Sequence, residues 1–255
     1  MTQERILQTA LEQSAVDCSC CAEDFLSDEN KFFVSQENKM ARRYLELPFL
    51  CNFVSYGKNV VVSASGEYIN VAREYLNACD SVNCFETPRM NILREKLRMY
   101  NADICFMAEY WLARLDRLKP LPCEYEIRIL TQKDFEGLYL PEWSNALCEK
   151  RKELDVLGVG AYDGGCLIGL AACSADCSDM WQIGVDVLPE YRRRGVASAL
   201  TSKLACEIVF RDKIPFYCCA WSNIGSAKNA YKSGFSPAWV EMTVKSTDFI
   251  DRMNR

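Results

Sequence analysis

The chain of 255 residues contains no histidine. That absence removes every Ser-His or Cys-His couple from consideration as a nucleophilic machine. A general base, if one is used, must be a carboxylate, tyrosine, lysine, thiolate, terminal amine or water chain. Long hydrophobic runs are missing too. None approaches the roughly 20 apolar residues that a transmembrane helix needs, so no membrane partner is expected. The opening residues Met1-Thr-Gln-Glu-Arg-Ile-Leu7 have no basic stretch followed by an apolar core, so no signal peptide is expected. Nor is there a basic excess. Thirty Lys and Arg stand against 35 Asp and Glu, a formal net charge of -5, which argues against a nucleic-acid partner.

Cysteine is the residue in surplus, with 15 copies. In a small exported chain that number would suggest a disulfide framework. Here the count is odd, no export signal is read, and the chain can bury a core without staples. Free thiols in a reducing cytoplasm are the expectation. Cys18-Ser-Cys20-Cys21 invites a metal reading. Tetrahedral zinc wants four ligands in paired spacings or with histidine added, and neither is available, so no metal is expected. Most of these cysteines read as small buried hydrophobes.

Lys119-Pro-Leu-Pro122 is the best domain boundary, because two prolines in four residues favour an extended linker. It divides the chain into residues 1–119 and 123–255. The first part reads as mixed α/β: a helix over 3–15, two strands within Phe49–Ser63 joined at Tyr56-Gly57-Lys58-Asn59, and a helix over 67–79. A further helix is capped by Thr87 with Pro88 at its first position, and a strand covers 103–111. No chemical motif appears there; its default roles are packing, shaping a pocket, or forming a homodimer.

The second part reads as a strand at 125–130, short helices at 132–138 and 143–153, and strands at 156–162 and 166–173 joined by Asp163-Gly164-Gly165. Further elements are a strand at 180–187, a helix at 194–210, a strand at 214–220, a helix at 226–233 closed by Gly234, and a strand at 239–245.

The most informative stretch runs Val187-Leu-Pro189-Glu-Tyr-Arg192-Arg-Arg-Gly195-Val-Ala197, then an amphipathic segment, then Trp221-Ser-Asn223-Ile-Gly-Ser226 and Gly234-Phe235. A strand enters a turn of spacing Arg-x-x-Gly-x-Ala that opens a helix. Such a turn aims backbone N–H groups into one concavity at the positive end of a helix dipole, a cradle for pyrophosphate.

This order of parts resembles the GNAT superfamily of N-acetyltransferases over about residues 124–245. The resemblance implies a mixed, mostly antiparallel twisted sheet flanked by helices, preceded by a smaller mixed α/β domain. It also implies acetyl-CoA as co-substrate. The cofactor-binding positions it implies are Val185 and Val187 through backbone groups, the turn Arg192, Arg193, Arg194, Gly195, Val196 and Ala197, and Asn223 with Ser226. Lys228 and Lys232 are further candidates near a nucleotide phosphate. Competing structural readings exist for each: core side chains for the valines, a solvated turn for the arginines, a helix N-cap for Asn223.

Catalytic residues are harder to name. Many relatives place a tyrosine four residues before the glycine of Gly-Phe; that position is Ala230 here, and Tyr231 lies about 100° further round a helix. Some carry a glutamate on the central strand, where the count falls on Trp181 and Ile183. The remaining candidates are Glu142, on the segment that commonly covers the acceptor in this family, and Glu241 on the last strand. The function implied is direct transfer of acetyl from acetyl-CoA to a primary amine of a small molecule. The rival is a CoA-binding sensor or scaffold module without catalysis.

Overall fold

In the computed structural model, which describes residues 1–79 and 83–255, the chain divides into two compact units. One comprises Met1–Thr9 with Trp111–Pro237; the other comprises Ala10–Tyr110 with Ala238–Arg255. The first boundary falls within α1 (Gln3–Cys18).

The unit built on Ala10–Tyr110 contains β1 (Lys31–Val34), β2 (Cys51–Ser55) and β3 (Val61–Ala64). These are followed by α2 (Tyr68–Asn77), α3 (Thr87–Arg98) and β4 (Ala102–Ala113), whose last residues pass into the other unit. β2 and β3 form the expected antiparallel hairpin, and β1 adds in parallel to β3. The N-cap of α3 is Glu86 rather than Thr87, without a side-chain capping bond. Pro88 still sits in the first turn, where a missing N–H costs nothing.

The other unit contains β5 (Glu126–Thr131), β6 (Asp155–Asp163), β7 (Cys166–Ser174) and β8 (Met180–Val187). After these come α4 (Val196–Phe210), β9 (Ile214–Ala220), α5 (Ile224–Lys232) and the first residues of β10 (Phe235–Ser246). β10 ends in the unit of Ala10–Tyr110, pairs there antiparallel with β2, and leads into α6 (Thr247–Met253), which the sequence did not signal. The strand order β9-β8-β7-β6-β5 is antiparallel except for the parallel pair β8–β9. This is the mixed, mostly antiparallel α/β architecture expected.

Two apolar layers flank this sheet. On one face Ile183 and Val187 of β8 pack with Val196, Leu200, Leu204 and Ile208 of α4, which recur every four residues and so share one side of the helix. On the other face Leu170 and Ala172 of β7 pack with Phe135, Trp143, Ala146 and Leu147.

Three expectations need correction here. Lys119–Pro122 lies inside the unit of Trp111–Pro237 and is anchored, since Leu121 N–H donates to Ser202 Oγ at 3.0 Å. The segment lies outside helix and strand, as its prolines favour, without being a boundary. Second, residues 143–153 are not one helix. They form two short 3-10 turns, Pro141–Trp143 and Glu149–Leu154, with Arg151 outside helical backbone at φ -141°, ψ 37°. The cause is competition for donors. Asn145 and Ala146 N–H groups go to the Asp186 carboxylate, and Cys148 N–H goes to Asp155. Residues 132–138 likewise shrink to a single 3-10 turn, Gln132–Phe135.

Candidate active site

The site is set by where β8 and β9 stop pairing. Their register runs from Met180↔Ile214 to Ile183↔Tyr217 and ends there, although β8 continues to Val187 and β9 to Ala220. The side to which each backbone group points follows from two bonds. Ile214 N–H donates to the Asp179 carbonyl, and Leu188 N–H donates to the Ile168 carbonyl. Backbone groups alternate sides along a strand. Even-numbered residues of β8 therefore serve β7, and Val185 and Val187 turn their N–H and C=O groups to the side where β9 has left. The Val187 carbonyl is taken by Arg192 Nε at 2.9 Å.

Beyond β8 the chain makes a single turn, Pro189–Tyr191, and enters α4 through residues with left-handed backbone, Arg193 at φ 63° and Gly195 at φ 83°. Gly195 is the residue just before α4, and it suits that backbone because it has no Cβ. A Cβ built there would meet only Lys232 Nζ, at 3.8 Å, so the space above the turn is open. The first N–H groups of α4 have no helical partner. An open concavity lined by donors, a helix N-terminus and a lysine suits a diphosphate.

The arginines of the turn differ in role. Arg192 is spent on Val187. Arg194 donates to Tyr125 Oη at 2.8 Å, beside Tyr191, which is edge-on to Tyr125 and donates to Asp163. Val196 is buried and Ala197 half-buried at the start of α4.

Across the opening, Asn223 caps α5: its Oδ1 accepts from Ser226 N–H at 3.1 Å. Ser226 Oγ pairs with Tyr217 Oη at 2.7 Å, and burial pushes the Tyr217 phenol up. α5 is tied to α4 through Ser198, Asn229 and Thr201. Ala230 is fully buried in the core, and Tyr231 is 57% exposed with the Arg117 guanidinium over its ring at 4.3 Å.

The two carboxylate candidates lie in different units. Glu142 is exposed on the Pro141–Trp143 turn. Glu241 is 4% exposed on β10, accepts from Arg42 Nη2 at 2.7 Å and from Trp239 Nε1 at 2.8 Å, and so belongs to a buried ionic cluster with Arg42 and Asp17. Burial works against the Arg42 charge, but the two carboxylates outweigh it and hold its pKa above the ordinary arginine value.

Sequence reasoning passed over the opposite face of β8, because counting back from Val187 lands only on Trp181 and Ile183. Gln182, Gly184 and Asp186 line that other face. Asp186 Oδ2 accepts from Asn145 and Ala146 N–H at 2.8 and 2.9 Å, and its Oδ1 accepts from Asn145 Nδ2 at 2.6 Å. Gln182 Nε2 donates to Cys218 Sγ of β9 at 3.0 Å. Period-two alternation was the signal that could have drawn attention to them.

None of the 15 cysteines forms a disulfide. Among the described residues no three His, Cys, Asp or Glu side chains are grouped to hold a metal, and no helix is long and apolar enough to cross a membrane.

The central strands β8 and β9 thus part beside a helix-opening Gly turn in a mixed sheet. The family model for GNAT acetyltransferase matches residues 77–238, and the chain belongs to that family. The match starts well before residue 124, where the resemblance in the sequence begins. A GCN5-related N-acetyltransferase-like protein from Streptococcus suis is similar at 21% identity, with 61% of this chain and 67% of that one covered and a TM-score of 0.46. A GCN5-related N-acetyltransferase from Kribbella flavida is similar at 14% identity, covering 62% and 64%, with a TM-score of 0.47. An aminoglycoside N-acetyltransferase solved in complex with CoA is similar at 23% identity over 47% of this chain and 92% of that one, with a TM-score of 0.36. The chain thus spans about two thirds of the first two and nearly all of the third. No curated protein matches it.

Proposed function

We propose that the protein transfers the acetyl group of acetyl-CoA to a primary amine of a small molecule by direct attack. Membership of the GNAT acetyltransferase family supports an acyl transfer. The observation that carries the reading is the joint geometry of the strand parting after Ile183↔Tyr217 and the open turn at Gly195. Unpaired backbone groups of Val185 suit the amides of a pantetheine arm, as an added strand would. The turn Arg192–Ala197, with Arg193, Arg194 and Lys232 near it, suits the diphosphate. Asn223 and Ser226 flank the arm's path, although the Asn223 side chain also serves as a cap.

Acetyl-CoA supplies the activated acetyl group. The protein's part is orientation, which can account for much of the acceleration, and donation from strand N–H groups to the thioester oxygen. A buried Ala230 leaves no hydroxyl from that position to protonate the departing sulfur. That observation favours the second reading, a CoA-binding sensor or scaffold module. The two readings are separated by incubating the protein with acetyl-CoA and an amine library while following thiol release. Release dependent on one amine supports the transferase. Tight acetyl-CoA binding by calorimetry with no release supports the module.

A further inference from the structure

We infer that Gln182 is the residue that receives the acceptor amine, an assignment that rests on the acetyltransferase reading. The gap between β8 and β9 has two faces. The face of Ile183, Val187, Tyr217 and Cys219 is closed by the core packed around α4 and Ala230. The other face is more open at the gap, where Gln182, Gly184, Asp186 and Cys218 are half-buried while Ile183, Val187, Tyr217 and Cys219 are buried, and it is the side from which an amine can approach.

That face is lined by the even-numbered side chains. Gln182 pairs with Phe216 one step before the pairing ends, and Cys218 is the first β9 residue beyond it, on the same face as Phe216. The Gln182 amide is fixed by its bond to Cys218 Sγ. Among the described residues its Oε1 accepts no hydrogen bond, and it is not sealed from solvent. A carbonyl oxygen held in place without a donor is suited to an amine N–H.

The neighbouring groups on this face have other work. Both Asp186 oxygens are occupied by Asn145 and Ala146, so this carboxylate holds the segment over β8 rather than meeting substrate. Gly184 has no side chain, and the Asn145 carbonyl lies against it. Gln182 is thus the polar side chain at the apex.

Its chemistry fits the transfer. The amine nitrogen bonds to the acetyl carbon, the carbon–sulfur bond breaks, and nitrogen loses one proton while sulfur gains one, giving an amide and a thiol. As nitrogen attacks it becomes positively charged, and the hydrogen bond that its N–H donates to a neutral acceptor such as Oε1 strengthens. Gln182 orients the amine and stabilises that charge without removing the proton.

The test uses the full chain and three probes, spermidine, kanamycin and phenethylamine. The amine that releases most thiol is titrated calorimetrically into the CoA-saturated protein, and kcat and KM are measured with acetyl-CoA. Gln182→Ala should weaken amine binding and raise its KM by about tenfold or more, with acetyl-CoA affinity changed less than about twofold and Tm unchanged. Gln182→Glu keeps an acceptor oxygen and should restore amine affinity, with a new dependence on pH. If Gln182→Ala fails to fold, the near-isosteric Gln182→Met replaces it. Unchanged amine affinity in a folded variant, or an equal loss of acetyl-CoA affinity, overturns the assignment alone. A wild-type protein that releases no thiol with any probe overturns the transferase reading, and this assignment with it.

Discussion

The backbone carbonyl of Asn145 lies directly on Gly184 of β8, where even one added methyl would collide with it. Backbone atoms cannot swing aside as the end of a side chain can. Gly184→Ala should therefore push the 145–148 segment off the strand and destabilise the protein by about 1–3 kcal/mol, the usual cost of overpacking. Thermal and urea unfolding measure this, and a Tm at or above the wild-type value contradicts it.

The turn at Gly195 supports a binding prediction. Gly195→Val places a branched side chain on a backbone of φ 83° and fills the open space beside Lys232. Acetyl-CoA affinity should fall by tenfold or more, about 1.4 kcal/mol or above. A folded variant that titrates like the wild type would show that diphosphate does not sit there.

Tyr231 faces outward under Arg117, away from the buried Ala230. Tyr231→Phe removes only the hydroxyl and should change kcat by less than about threefold. Loss of a general acid typically costs about 10² to 10⁴ in rate. A fall of that size with acetyl-CoA affinity intact would make Tyr231 the proton donor.

The buried trio Asp17, Arg42 and Glu241 makes a stability prediction. Arg42→Ala leaves two carboxylates enclosed without their cation, and should cost about 3–5 kcal/mol. Replacing Glu241 by Gln keeps an acceptor for the Arg42 and Trp239 donors and should cost less. Unfolding curves showing the reverse order would place the weight of the cluster elsewhere.

Asp155 carries a pH signature. Burial, reinforced by the nearby Asp176, raises its pKa to about 6, against the bonds it accepts from Cys148 N–H and Tyr139. An unfolded aspartate titrates near 3.9, so the folded state holds this proton more tightly. Its contribution to stability is complete below about pH 4 and disappears as pH rises through about 6. Asp155→Asn should flatten that part of the stability profile. An unchanged slope between those values in the variant would assign it to other groups.

Much of this architecture was legible because the signals were periodic. The strand ending at Val187, the α4 face of Val196, Leu200, Leu204 and Ile208, and the Gly164-Gly165 hairpin are each written locally. What escaped was decided by distant partners. Residues 143–153 looked helical until Asp186 and Asp155, remote in sequence, claimed their N–H groups. Glu241 looked like a strand carboxylate because nothing near it announces Arg42, 199 residues earlier. The turn at Gly195 was readable from residue types, whereas Gln182 required knowing which face of β8 α4 would cover.

The division of the chain also sets an order of assembly during synthesis. β10 pairs with β2, and its Glu241 completes the charge cluster around Arg42, yet both arrive only after all of Trp111–Pro237 has been made. The unit begun by Ala10–Tyr110 cannot acquire its last strand until β10 has been synthesised. The interrupting unit, whose strands β5 to β9 are contiguous, can fold in the meantime.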